Sequence, residues 1–188
     1  MKDSSNCIER LTKTIIEMKK FLILAVALLV ALPNFAQKLT KEEKAAQQKA
    51  LYETMIKALE EKDWAIVPTS YIDADGVDNQ LTDNSIFISY EKTNMFMQGA
   101  RVCGNSYTNI AEATEYTFNK DKKGNIKSII MRVMGRHIQG TYKITLPKVD
   151  NGNVVDVIFT PNSGATRKFQ GPVVPSKVAG FYKKSNPE

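Results

Sequence analysis

Beyond Trp64 the chain is a succession of short alternating runs joined by turns of a few residues, and connections that short leave no room for crossover helices. Strands so connected must run antiparallel, as a meander. The runs read as strands over Trp64–Val67 with Tyr71–Ile72, Ser85–Tyr90, Met95–Val102, Ala113–Asn119, Ile126–Met134, Ile138–Leu146, Val154–Thr160 and Ala165–Gln170, with a further short run over Gly180–Tyr182. Ile138, Gly140, Tyr142, Ile144 and Leu146 alternate with Gln139, Thr141, Lys143 and Thr145, giving one buried and one wetted face. Asp121-Lys122-Lys123-Gly124-Asn125 and Asp150-Asn151-Gly152-Asn153 carry turn chemistry, and Glu91-Lys92-Thr93-Asn94 reads as a four-residue hairpin loop. About eight consecutive strands close into a barrel or curl strongly.

A helix precedes the strands. Thr40-Lys41-Glu42-Glu43 is a capping box, and the following segment to Lys62 lacks Gly and Pro. Ala45, Gln48, Tyr52, Met55, Ile56 and Leu59 fall on one stripe at helical spacing, so one amphipathic helix spans residues 41–62 and packs on the β-rich part, residues 64–182.

Ahead of the helix, Met18-Lys19-Lys20 leads into an uncharged apolar run from Phe21 to Leu32, followed by Pro33-Asn34-Phe35-Ala36-Gln37. A basic start, a short apolar stretch and a small residue before the cut make a signal peptide over residues 18–36, cleaved between Ala36 and Gln37. A membrane span would need about 20 apolar residues to cross about 30 Å of hydrocarbon. No Cys lies at the cut, so a lipoprotein is not expected. Residues 1–17 read as an over-long gene start or an extended n-region. The mature domain is then residues 37–188, periplasmic or secreted, with no membrane span.

Composition removes several function classes. Two Cys in the whole chain exclude a disulfide scaffold, a multi-cysteine zinc site and an iron–sulfur cluster, and Cys7 falls in the discarded leader. A single His excludes a two-histidine metal centre, and no metal or cofactor is expected. The basic residues are dispersed around turns and strand edges without interleaved aromatics, so nucleic acid is not an expected partner.

The remaining constellations have plain structural readings beside the chemical ones. Cys103 and His137 could form a thiolate–imidazolium pair, but no nucleophile motif surrounds them, and the expectation is Cys103 as a small buried hydrophobe and His137 as an exposed strand-edge residue. Asp73-Ala74-Asp75-Gly76-Val77-Asp78-Asn79 has alternate carboxylates, but Gly76 comes too early for an EF-hand and Asn84 stands where its bidentate Glu belongs. Glu112 and Glu115, three apart on a strand, fall on opposite faces. Arg132 and Arg136 share a face if their strand runs on through Gly135, and could clasp an anion. Met95, Phe96, Met97, Met131 and Met134 supply a soft apolar lining or ordinary core. The tail GPVVPSKVAGFYKK, with Pro172 and Pro175, reads as an edge or an arm.

The leader ending Phe35-Ala36-Gln37, the Lys/Ala/Glu-rich helix, Asn84-Ser85-Ile86-Phe87-Ile88-Ser89 opening a hairpin, the Asp121–Asn125 turn and the strand Gly140-Thr141-Tyr142-Lys143-Ile144-Thr145-Leu146 together resemble an uncharacterised family of exported proteins, a domain of unknown function common in gut Bacteroidales. The resemblance implies export and a β-rich architecture, and carries no activity. The expectation is therefore an α+β, mainly β domain: an N-terminal helix packed on an antiparallel meander of about eight strands forming a barrel or curled sheet. Such a barrel can hold one small ligand. The expected role is a non-enzymatic envelope protein binding a small apolar or amphipathic molecule, with Tyr90, Met97, Tyr116, Phe118 and Tyr142 as lining. The alternative is a protein–protein interaction module in an envelope or surface assembly, with an envelope protein as partner; a hydrolase ranks third.

Overall fold

A computed structural model describes residues 39–184, apart from residue 74. The expected leader, its cut at Ala36 and Gln37, and Cys7 lie outside those residues. Helix α1 spans Lys41–Glu61. Its capping box forms as expected: Thr40 Oγ1 accepts the Glu43 N–H at 3.2 Å and Glu43 Oε2 accepts the Thr40 N–H at 2.8 Å. Lys62 ends the helix in the left-handed region, φ 55°. Only the C-terminal half of the expected stripe is covered. Met55, Ala58 and Leu59 are buried, whereas Ala45 is exposed because the helix overhangs the surface on which it docks.

Ten strands follow: β1 Asp63–Ile66, β2 Ser70–Ile72, β3 Asp78–Gln80, β4 Phe87–Glu91, β5 Asn94–Gln98, β6 Asn109–Lys120, β7 Ile126–Gly135, β8 Gln139–Thr145, β9 Val154–Pro161 and β10 Arg167–Pro175. Every pairing is antiparallel. The order β1-β4-β5-β6-β7-β8-β9-β10 closes on itself through β10 and β1, making an eight-stranded barrel. The tail read as an edge or an arm divides: Gly171–Pro175 belongs to the closing strand, and the residues after it run on without forming a strand. β10 pairs with β9 on one side, and on the other with β1 through Val173, Val174 and Pro175 and with β2 through Lys168–Gln170. β1 and β2 thus line up along β10, broken at Pro68, which has no N–H to give, and β3 hangs from β2 as an outer hairpin.

Other boundaries differ for local reasons. The run Met95–Val102 splits: β5 stops at Gln98, and a one-turn helix α2, Ala100–Cys103, folds over the barrel end. The β4–β5 connection is tighter than a four-residue loop. Glu91 and Asn94 still pair, and Lys92 takes φ 64°. β6 carries a bulge at Thr114, between the pairs Ala113↔Val133 and Glu115↔Arg132. That extra residue restores phase, so Glu112 and Glu115 share the solvent face rather than opposing each other. β7 ends at Gly135, which separates Arg132, outward on the strand, from Arg136 in the turn. Gly180–Tyr182 adopts no strand. It belongs to a tail lying along the outside of β4 and β5, where Phe181 stacks on Phe87 at 4.1 Å and Lys183 pairs with Glu91 at 2.8 Å.

The barrel interior holds one continuous apolar cluster, onto which the helix packs. At the helix end, Leu59 and Met55 pack towards Trp64, Tyr90, Val155 and Val173. The same cluster takes in Met95, Ile129, Met131, Ile144 and Val157, and Tyr142, which stacks on Phe159 at 4.3 Å. Gly140 makes that stack possible, since a side chain there would meet the Thr160 carbonyl and lie 2.8 Å from Phe159 Cε2. No helix among the described residues is long and apolar enough to cross a membrane.

Candidate functional site

The residues expected to line a ligand cavity do face inward, but they are used up in packing. Tyr90, Tyr116 and Phe118 form a run of aromatic contacts at the helix end, with centroids 5.3 Å apart at each step. The Tyr116 hydroxyl donates to the Leu59 carbonyl at 2.8 Å and accepts the Trp64 indole N–H at 3.2 Å, which latches the helix to the barrel. Burial pushes the Tyr116 pKa up, partly offset by the Trp64 bond. Tyr142, wholly buried, donates its hydroxyl to Met97 Sδ at 3.2 Å, and burial holds its pKa well above the usual tyrosine value. None of the five lines either of the two concavities described below.

The opening lies at the other end, opposite the helix. A concavity of about 580 Å³ is bounded by α2 and the segment after it, by the β7–β8 turn and by the β9–β10 turn. Its apolar floor is Ile138, Phe159 and Cys103; Asn105, Gln139, Asn162 and Ser163 supply polar edges; and Arg136 and Arg167 supply charge. No carboxylate lines it, and among the described residues neither arginine is in a salt bridge. Arg167 is placed by β-sheet alternation. It shares the inward face of β10 with Phe169, Gly171 and Val173, so its guanidinium sits half-buried in the barrel mouth. It also crosses the backbone at Gly104 (φ 91°), where a Cβ would stand 2.9 Å from Nη2. Its Cζ lies 6.0 Å from the Phe159 ring centroid.

Cys103 and His137 both border this concavity, but no hydrogen bond joins them. Cys103 is 7% exposed; its Sγ accepts from Asn109 Nδ2 at 3.2 Å and donates to the Gly99 carbonyl at 3.4 Å. Burial pushes the thiol's pKa up, against smaller opposing effects from these bonds and from Arg167. Such a thiol is a poor nucleophile. Asn105 and Asn109 exchange amide bonds at 3.0 and 2.8 Å beneath α2, fixing the cap, and Tyr107 meets the His137 ring edge-on at 6.3 Å. In the Asp73–Asn79 loop, Asp73 Oδ1 accepts the N–H groups of Asp75 and Val77 and Oδ2 accepts from Asn79. Its carboxylate therefore serves the turn, and among the described residues no three His, Cys, Asp or Glu side chains gather as a metal site.

Arg167 is one of the dispersed basic residues of the sequence. The signal was present: Arg167 is in phase with Phe169 and Val173, a charge on the interior face of a strand. Fold and site together define a closed antiparallel barrel plugged by a helix at one end and open at the other through a cationic mouth. No protein-family model and no curated protein matches the chain. Among solved structures, a DUF4251 family protein from Bacteroides eggerthii is similar, with a TM-score of 0.58 and 20% identity, covering 70% of this chain and 91% of that one. At that identity the likeness is one of fold.

Proposed function

We propose that this chain is an exported, non-enzymatic barrel that binds a small organic anion with an apolar portion at its open end. One observation carries the reading: Arg136 and Arg167 face a concavity that has an apolar floor and no carboxylate of its own. An arginine on the inward face of a strand has lost part of its hydration, and with no internal partner its charge is best answered by a ligand. Phe159 and Ile138 would take the apolar portion, and the volume falls in the ordinary range for small-molecule sites. Export rests on the leader read over residues 18–36. Kinship with an uncharacterised Bacteroidales family draws support from the sequence resemblance and from the likeness of fold to the Bacteroides eggerthii protein. The raised pKa of the buried Cys103 thiol favours binding over nucleophilic chemistry.

The test is calorimetric titration with octanoate and with its neutral analogue octanamide at low salt. Octanoate should bind about tenfold more tightly, equivalent to about 1.4 kcal/mol, and Arg167→Gln should erase the difference. Equal affinity for the two compounds, or an unchanged preference in Arg167→Gln, would reject the reading.

A further inference from the structure

A second concavity, of about 340 Å³, adjoins the first, and Arg167 borders both. It is formed where β2 and the start of β10 meet α2, with Tyr71, Arg101 and Lys168 among its walls. The Arg101 guanidinium carbon lies 4.4 Å from the Tyr71 ring centroid, a cation–π contact that holds the charge at the wall of the hollow. Asp73 is the single carboxylate of the lining, and its oxygens are turned to the N–H groups of its own loop. The two hollows together hold Arg101, Arg136, Arg167 and Lys168 against that one acid.

We infer that the natural ligand carries two anionic groups, one held by Arg136 and Arg167 in the barrel mouth and the other by Arg101 and Lys168 in the adjoining hollow, with Arg167 between them. The inference rests on the reading of the mouth as an anion site. Like charges on neighbouring elements repel one another until a counter-charge arrives. A dicarboxylate, a diphosphate or a similar dianion supplies that charge with a single loss of translational freedom, the advantage that linked groups have over separate ones.

The experiment is calorimetric titration of the protein with α,ω-dicarboxylates from succinate to sebacate, each beside the monocarboxylate of equal length. One dicarboxylate length should bind at least tenfold more tightly than its monocarboxylate, beyond the twofold that two equivalent ends allow. In the Arg101→Gln/Lys168→Gln variant that gain should vanish, while monocarboxylate affinity stays within twofold and so reports an intact mouth. Monocarboxylate binding with no dicarboxylate gain, or a gain that survives in the double variant, would overturn the second site and leave the first standing. Failure of both ligand types to bind would overturn the anion reading and this inference with it.

Discussion

Replacing Tyr116 with Phe removes one oxygen from the joint between helix and barrel. Trp64 is fully buried, and its indole N–H donates to that oxygen at 3.2 Å; the Tyr116 hydroxyl donates in turn to the Leu59 carbonyl at 2.8 Å. After the change the Leu59 carbonyl still accepts the Lys62 N–H at 3.3 Å, but the indole N–H has no partner. A stranded buried donor costs about 1–3 kcal/mol, and the lost hydroxyl bond about 1 kcal/mol more, so the expected loss is about 2–4 kcal/mol. The Lys62 ammonium, 5.1 Å from the ring centroid, keeps its contact with a phenylalanine ring, so the change isolates the hydroxyl. Trp64 is the single tryptophan, which makes its fluorescence in urea a local probe of this joint. With a slope of about 2 kcal/mol per molar, the midpoint should fall by roughly 1–2 M. In a Trp64→Phe background, followed by circular dichroism because no tryptophan remains, Tyr116→Phe should cost less than it does in the wild-type protein, because the donor it would strand is gone. A Tyr116→Phe loss below about 0.5 kcal/mol would refute the latch. Far-ultraviolet circular dichroism melting separately from Trp64 fluorescence would refute a helix folded with the barrel.

Gly140→Ala should cost about 1–3 kcal/mol in urea unfolding by overpacking, since the new methyl group meets the Thr160 carbonyl and the Phe159 ring. Tyr142→Phe should cost less than about 1 kcal/mol, because the hydroxyl donates only to a thioether. With its folded pKa raised, the Tyr142 contribution is whole below the unfolded tyrosine value of about 10 and is lost as pH rises beyond it; Tyr142→Phe should therefore lessen the fall in urea midpoint between neutral and strongly alkaline pH. Thiol labelling of Cys103 should be slow in the native protein and fast in urea, and fast native labelling would contradict its burial. Truncation before Phe181 should uncover Phe87 and raise binding of a hydrophobic dye without unfolding the barrel.

The antiparallel meander was legible because its information is local. Alternation in Gly140–Leu146 and the turn at Asp121–Asn125 each depend on neighbouring residues, and the capping box at Thr40 and Glu43 is written in four. What escaped reading was set across the barrel. The closing strand contains Pro172 and Pro175, which look like an edge until β1 arrives from more than a hundred residues earlier. The bulge at Thr114 shifts the phase of β6 with no glycine to announce it, so Glu112 and Glu115, counted onto opposite faces, share one. Inward aromatic residues such as Tyr90 and Tyr142 were readable as interior, but alternation does not tell packed interior from ligand lining. That distinction depends on how much space their partners fill, and Phe159 and Trp64 fill it. Arg167 shows the converse: its phase was visible, but its meaning needed the turn at Arg136 and the cap at Cys103 to be brought beside it.

Native mass spectrometry of the protein purified from its own host, compared with the Arg136→Gln/Arg167→Gln variant prepared in the same way, tests the account at its centre. The wild-type protein should carry one small organic anion, released on denaturation, and the double variant should be recovered folded and free of it. Ligand-free protein in both preparations, or a ligand retained equally by both, would contradict an anion site at the barrel mouth.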